Sequence, residues 1–205
     1  MLLFYHFTLG FFSSYFGSLT PSMLNMTAAK ISINKGKNSA IQFATGVSIV
    51  VFIQAYIAVI FTRFLRSNPW FLHLLQQIAV VIFLFLSYYF YKQFKKDKIE
   101  IKETKQASKN SFVIGLILSS LNMFSIPFYC GITTAFDGAG WLHFSQIYII
   151  TFVIGSAIGT FVLLFTYLQF AQTIAAKSKT LAKNLHLILS FLTGILALIT
   201  FYKIL

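Results

Sequence analysis

Six stretches without a charged residue cover most of the chain: Met1–Ala29, Asn38–Thr62, Ser67–Tyr91, Asn110–Phe136, Gly138–Ala176 and Asn184–Tyr202. Within them apolar positions run continuously instead of alternating, so the pattern predicts helices and not the strands of a transmembrane barrel. A helix needs about 20 mostly apolar residues to cross the hydrocarbon core. Each window holds one crossing. Gly138–Ala176 is the longest, and its opening Gly138-Ala139-Gly140-Trp141 reads as a turn with an interfacial tryptophan. The expected spans are 2–21, 40–62, 70–91, 111–135, 145–171 and 185–203. The first window has no positive n-region and no small-residue cleavage site, so it is read as a retained span and not as a signal peptide.

Composition agrees with this pattern. The chain of 205 residues is 58% hydrophobic and only 10% charged, against about 25% charged in a soluble domain. It therefore lacks the polar residues to cover a water-facing globule. The net charge of +12 sits in short runs between the spans, not on a soluble face that would grip nucleic acid. Loops 1–2, 3–4 and 5–6 hold 13 of the 16 Lys and Arg residues (Lys30 to Lys37, Lys92 to Lys109, Lys177 to Lys183), and the opposite side holds Arg63, Arg66 and Lys203. By the positive-inside rule both termini are expected outside. The segment 92–110, with Asp97, Glu100 and Glu103, reads as a solvated cytoplasmic linker between halves 1–91 and 111–205.

Three spans per half is an odd number, so the second half enters the membrane inverted. The halves echo one another in chain order. Ser13-Ser14 and Pro21 answer to Ser119-Ser120 and Pro127; Phe43, Gly46, Phe52 and Phe61 to Phe152, Gly155, Phe161 and Phe170; Leu72-His73-Leu74 to Leu185-His186-Leu187. The offsets are 106, 109 and 113 residues. The expected fold class is an all-α polytopic membrane protein of six transmembrane helices, built as an inverted 3+3 repeat.

Proline inside a span removes a helical hydrogen bond and releases the carbonyl four residues earlier, which in lipid must find protein or water. Pro21 and Pro127 fall in the matched first and fourth spans and would release the carbonyls of Gly17 and Met123, whereas Pro69 reads as a turn. Small and polar residues run beside both breaks: Gly10, Ser14, Gly17, Pro21 and Asn25 in one, Gly115, Ser119, Asn122, Tyr129 and Thr133 in the other, with Ser125 close by. Either stripe alone reads as close helix packing. Two broken helices in corresponding places of an inverted repeat point instead to a midplane transport site. Gly155-Ser156-Ala157-Ile158-Gly159 reads as a packing motif within or between subunits, and Gln54, Gln76 and Gln77 as partners of neighbouring helices.

No Asp or Glu lies within a span, so His6, His73, His143 and His186, all near span ends, read as interfacial. Cys130 reads as buried packing. Neither H-E-x-x-H nor G-x-S-x-G occurs, and no nucleophile has a nearby base, so an enzyme is disfavoured.

The layout resembles the lysine-exporter (LysE/RhtB-type) family of small six-span amino-acid exporters. That family carries a Pro-Gly-Pro motif late in span 1, where Thr20-Pro21-Ser22-Met23 stands here, then a basic Gly-containing loop and a glycine in span 2, matched by Lys35-Gly36-Lys37 and Gly46. Its second half has a Phe-x-x-Gly start and an Asn-Pro-Lys motif. Phe112-Val113-Ile114-Gly115 and Asn122-Met123-Phe124 stand at those places, and Leu24 stands where an acid often follows the first motif.

The resemblance implies a bacterial inner-membrane exporter moving an amino acid or derivative by alternating access. Ser18, Thr20, Pro21, Asn25, Asn122, Ser125 and Pro127 are the expected substrate-binding residues. No cofactor or metal is expected. The expected partners are the solute and the bilayer, without nucleic acid, and a homo-oligomer is compatible with the glycine spacing of span 5. The alternative from another class is a non-transporting membrane scaffold or accessory subunit.

Overall fold

In the computed structural model the described residues are 1–19, 22–68, 110–122 and 124–174, together with interspersed positions of 70–92 and 190–202. Among them six helices follow one another: α1 Leu2–Gly17, α2 Met23–Lys35, α3 Lys37–Ser67, α4 Ser111–Ser120, α5 Ser125–Gly138 and α6 Gln146–Gln169. No strand occurs among the described residues. Helices α3 and α6 are each long and apolar enough to cross a membrane, and α4 with α5 qualifies as a third crossing if the pair, bent by 62°, is taken as one.

Large apolar side chains cover the exposed helix faces, and in the interior small residues sit among buried large ones such as Phe43 and Phe152. On α3, Ile49, Ile53, Ile57 and Ile60 form an exposed stripe, while Ala40, Ala44, Ala55 and Ala58 are fully buried on the opposite face. A helix apolar all round suits lipid on one side and protein on the other, and small residues let helix backbones approach.

Two units make up the chain, 1–63 with 106–176 and 64–105 with 177–205. In the first, glycines bring helix backbones into contact. A Cβ on Gly10 of α1 would overlap the Phe152 carbonyl of α6, and one on Gly155 or Gly159 would overlap the carbonyl of Phe7 or Phe11. Between α3 and α4 a Cβ on Gly46 would strike the Phe112 carbonyl, and one on Gly115 the Phe43 carbonyl. In the second unit Ser87 and Ser190 each donate a hydroxyl to the other's carbonyl, both at 2.9 Å.

Helix limits depart from the expected spans for local reasons. The first crossing, expected over 2–21, ends as a helix at Gly17, and a separate helix begins at Met23. Ser22 caps it by accepting the Asn25 N–H at 3.3 Å, and it runs on through Lys30, which was expected in a loop. It stops at Gly36, whose φ of 83° suits a residue without a Cβ. Helix α5 closes at Gly140, where the N–H groups of Gly140 and Trp141 donate to Asp137 and Phe136, the C-terminal pattern a left-handed glycine completes. Pro69, His73, Gln76, His186 and the basic segments 93–109 and 175–189 lie outside the described residues.

Candidate functional site: the two interrupted helices

Helix α1 ends where the Ser18 N–H bonds the Ser14 carbonyl at 3.1 Å and the Leu19 N–H bonds Phe16 at 3.2 Å. The carbonyls of Ser18 and Leu19 then lie past the helical ladder and need outside donors. Asn25, one turn into α2, donates its amide to Ser18 at 2.7 Å. The Tyr167 hydroxyl, from α6, donates to Leu19 at 2.7 Å. An amide and a phenol thus hold the first interruption open. Thr20 and Pro21 lie outside the described residues.

The second interruption is made by an asparagine. The Asn122 N–H bonds the Ser119 carbonyl at 3.0 Å, its Oδ1 accepts the Phe124 N–H at 3.3 Å, and its Nδ2 donates to Ser125 Oγ at 2.9 Å. An asparagine side chain bonding the backbone two residues on is a self-contained turn. Helix α5 starts at Ser125, so Pro127 is its third residue, where a missing N–H costs no helical bond. The chain therefore turns ahead of Pro127. Met123, whose carbonyl Pro127 was expected to release, lies outside the described residues.

The two interruptions meet in the first unit. A Cβ on Gly17, the last residue of α1, would overlap the Phe128 ring of α5, and Ser14 bonds the Tyr129 hydroxyl at 2.9 Å. Ser14 also bonds Thr160 of α6 at 2.6 Å. Thr133 donates to the Tyr129 carbonyl at 2.7 Å and pairs with Thr62 of α3 at 2.7 Å. Hydroxyls therefore connect α6, α1, α5 and α3 through the buried interior.

Of the expected site residues, Asn25 and Ser125 are buried, Ser18 and Asn122 half-buried and Pro127 exposed. Ser18 is brought to Asn25, and Asn122 to Ser125. The partial charges of helix ends gather at each break: the negative ends of α1 and α4 and the positive ends of α2 and α5.

Sequence reasoning missed Tyr167 and Thr160. A tyrosine in an apolar helix still needs a partner for its hydroxyl, which was the available signal. His6 was expected at the interface, but it is fully buried. Its Nδ1–H donates to the Leu2 carbonyl at 2.8 Å and its Nε2 accepts the His143 N–H at 3.1 Å. Cys130, expected buried, is half-buried. Gln54 does bond a neighbouring helix, donating to the Ser119 carbonyl at 3.0 Å. The glycines of span 5 are used within the chain, against α1.

No curated protein and no solved structure that was compared matches the chain. Residues 15–203 match the model of the LysE type translocator family, and the chain belongs to that family of membrane translocators.

Proposed function

We propose that this translocator exports a small polar solute, an amino acid or a derivative, across the bacterial inner membrane by alternating access. Two three-helix repeats, 1–91 and 111–205, face opposite ways in the bilayer, with 92–110 as a cytoplasmic linker and both termini outside. Ser18, Thr20, Pro21 and Asn25 bind the solute from one repeat, and Asn122, Ser125 and Pro127 from the other.

The meeting of two interrupted helices through Ser14 and Tyr129 is the observation that carries this reading. The glycine contacts support the repeat. Gly115 follows Gly10 by 105 residues, as Phe112 follows Phe7, and Gly155 follows Gly46 by 109, as Phe152 follows Phe43. Under those two offsets the contact of Gly10 with Phe152 becomes that of Gly115 with Phe43, and Gly155 with Phe7 becomes Gly46 with Phe112. A pseudo-dyad relating the halves produces such interchange, and binding sites of inverted-repeat transporters lie where half-helices meet near midplane.

Helix ends supply the chemistry. The N-terminal ends of α2 and α5 attract a carboxylate, and the C-terminal ends of α1 and α4 an ammonium. Since Asn25 and Tyr167 occupy the Ser18 and Leu19 carbonyls, solute entry exchanges internal hydrogen bonds for bonds to cargo.

Export of labelled amino acids from loaded cells tests this. Pro21→Ala and Asn122→Ala are expected to lower efflux while protein levels hold, and unchanged flux in both removes these residues from the site. The internal satisfaction of the first break also suits the scaffold alternative, under which the same substitutions disturb assembly and leave no flux to lose.

A further inference from the structure

Gln54 of α3 is 7% exposed. Its Nε2 donates to the Ser119 carbonyl beside the end of α4, and its Oε1 is buried with no partner among the described residues. Rotating the amide by 180° would only set its oxygen against the Ser119 oxygen, so the bond fixes the orientation. A buried amide oxygen normally has a donor. This one is held beside the second interruption, next to the negative end of a helix.

We propose that Gln54 Oε1 receives the ammonium group of the transported solute, an inference that rests on the export reading above. The chain has four acids, Asp97, Glu100, Glu103 and Asp137. The first three belong to the 92–110 segment and the last stands in the final turn of α5, so among the described residues no carboxylate stands at the break. Neutral oxygens must then meet that charge, as carbonyls do at helix C-terminal ends. Gln54 offers such an oxygen, aimed by the Nε2 bond to Ser119. The residue sets specificity: it favours solutes carrying a primary ammonium over the same acids without one.

Full-length protein in vesicles, loaded with each of the twenty labelled L-amino acids in turn, provides the test. For the amino acid released fastest, its affinity is compared with that of its desamino analogue as a competitor. The wild type is expected to prefer the amino acid at least about tenfold, the scale of one charge-assisted hydrogen bond. Gln54→Met, which keeps the length and loses the acceptor, is expected to bring that preference within about threefold. Gln54→Glu, which keeps an acceptor, retains it.

A wild-type preference below threefold, or one unchanged in Gln54→Met with both affinities falling together, overturns the proposal and leaves Gln54 a strut filled by water. If Gln54→Met does not survive extraction, Gln54→Asn, which withdraws the carbonyl by one methylene, takes its place with the same expected loss. Replacing sodium by potassium leaves both affinities unchanged if the bound cation is the solute's own, and lowers both together if sodium is bound there, which also overturns the proposal. Wild-type vesicles that release none of the twenty overturn amino-acid export, and this inference with it.

Discussion

Ser14 and Tyr129, 115 positions apart in sequence, bond through their hydroxyls at 2.9 Å inside the first unit. The pair ties the last turns of α1 to the first turns of α5, so the two interrupted helices are fastened to each other just beside their breaks. Thr160 bonds the same Ser14 oxygen at 2.6 Å, and all three groups are buried. Tyr129→Phe removes one hydroxyl and leaves Ser14 its bond to Thr160, so no group is stranded. The expected loss of stability is about 1 kcal/mol, read by denaturant titration in micelles. Thr160→Val in the same background then costs more than it does alone, because Ser14 loses its last partner of the three.

The glycine contacts give a harsher result. At Gly10, Gly46, Gly115 and Gly155 a Cβ meets carbonyl oxygens of the facing helix, which cannot swing aside as a side chain can. Alanine at any of them forces two helices apart, and a loss of about 3 kcal/mol or more is expected. Gly131 supplies the control. It lies within α5, nothing stands within 4 Å of its added Cβ, and its φ is ordinary. Gly131→Ala is therefore expected to be neutral or to stabilise by up to about 1 kcal/mol. Similar losses at Gly131 and Gly155, read by the yield of folded protein after detergent extraction, would mean that helix propensity and not close approach governs these positions.

How far the sequence carried the fold depends on what each residue needs. The apolar runs of α3 and α6 announced themselves because lipid sets a length. The first interruption, expected at Pro21, falls between Gly17 and Met23 around residues that lie outside the described ones, and the Ser22 cap explains the helix that resumes at Met23. The second was expected at Pro127 and lies earlier, because the Asn122 side chain makes the turn by itself. Matching prolines gave an offset of 106, whereas the glycine contacts of the same two spans, at Gly10 and Gly115, follow 105. One residue rotates a helical position by about 100°, so the proline pair is a poor ruler for packing. Tyr167 stayed hidden among many aromatics, since only the fold brings its hydroxyl to a carbonyl in α1's broken end.

The first interruption should respond to its two donors unequally. Tyr167→Phe deprives the Leu19 carbonyl of its bond, and about 1 kcal/mol is expected. Asn25→Ala deprives the Ser18 carbonyl of a bond at 2.7 Å and empties a buried position, so about 2 kcal/mol is expected. Both donors act on adjacent carbonyls of one short segment, so their effects should not add. A double-mutant cycle is expected to give a coupling of about 0.5 kcal/mol or more. A coupling of zero would mean that Ser18 and Leu19 are positioned independently.

His6 makes the last case, because its ring uses both nitrogens. Leu2 offers only a carbonyl, so Nδ1 carries the proton and donates to it. Nε2 is then the acceptor for the His143 N–H in the segment between α5 and α6. The ring also stacks on Tyr148, with centroids 4.6 Å apart. One imidazole thus pins the start of α1 to the entry of α6. His6→Phe keeps the stacking and removes both hydrogen bonds, which separates them from the packing, and the His143 amide reports the loss of the Nε2 acceptor. Amide exchange at His143 is expected to quicken about tenfold in that variant, the scale of losing one hydrogen bond, while amides in the middle of α3 exchange as before. His6→Ala, which loses the stacking as well, should speed exchange across 141–145 further. Equal protection of the His143 amide in wild type and His6→Phe would show that burial alone, and not the Nε2 acceptor, holds this segment in place.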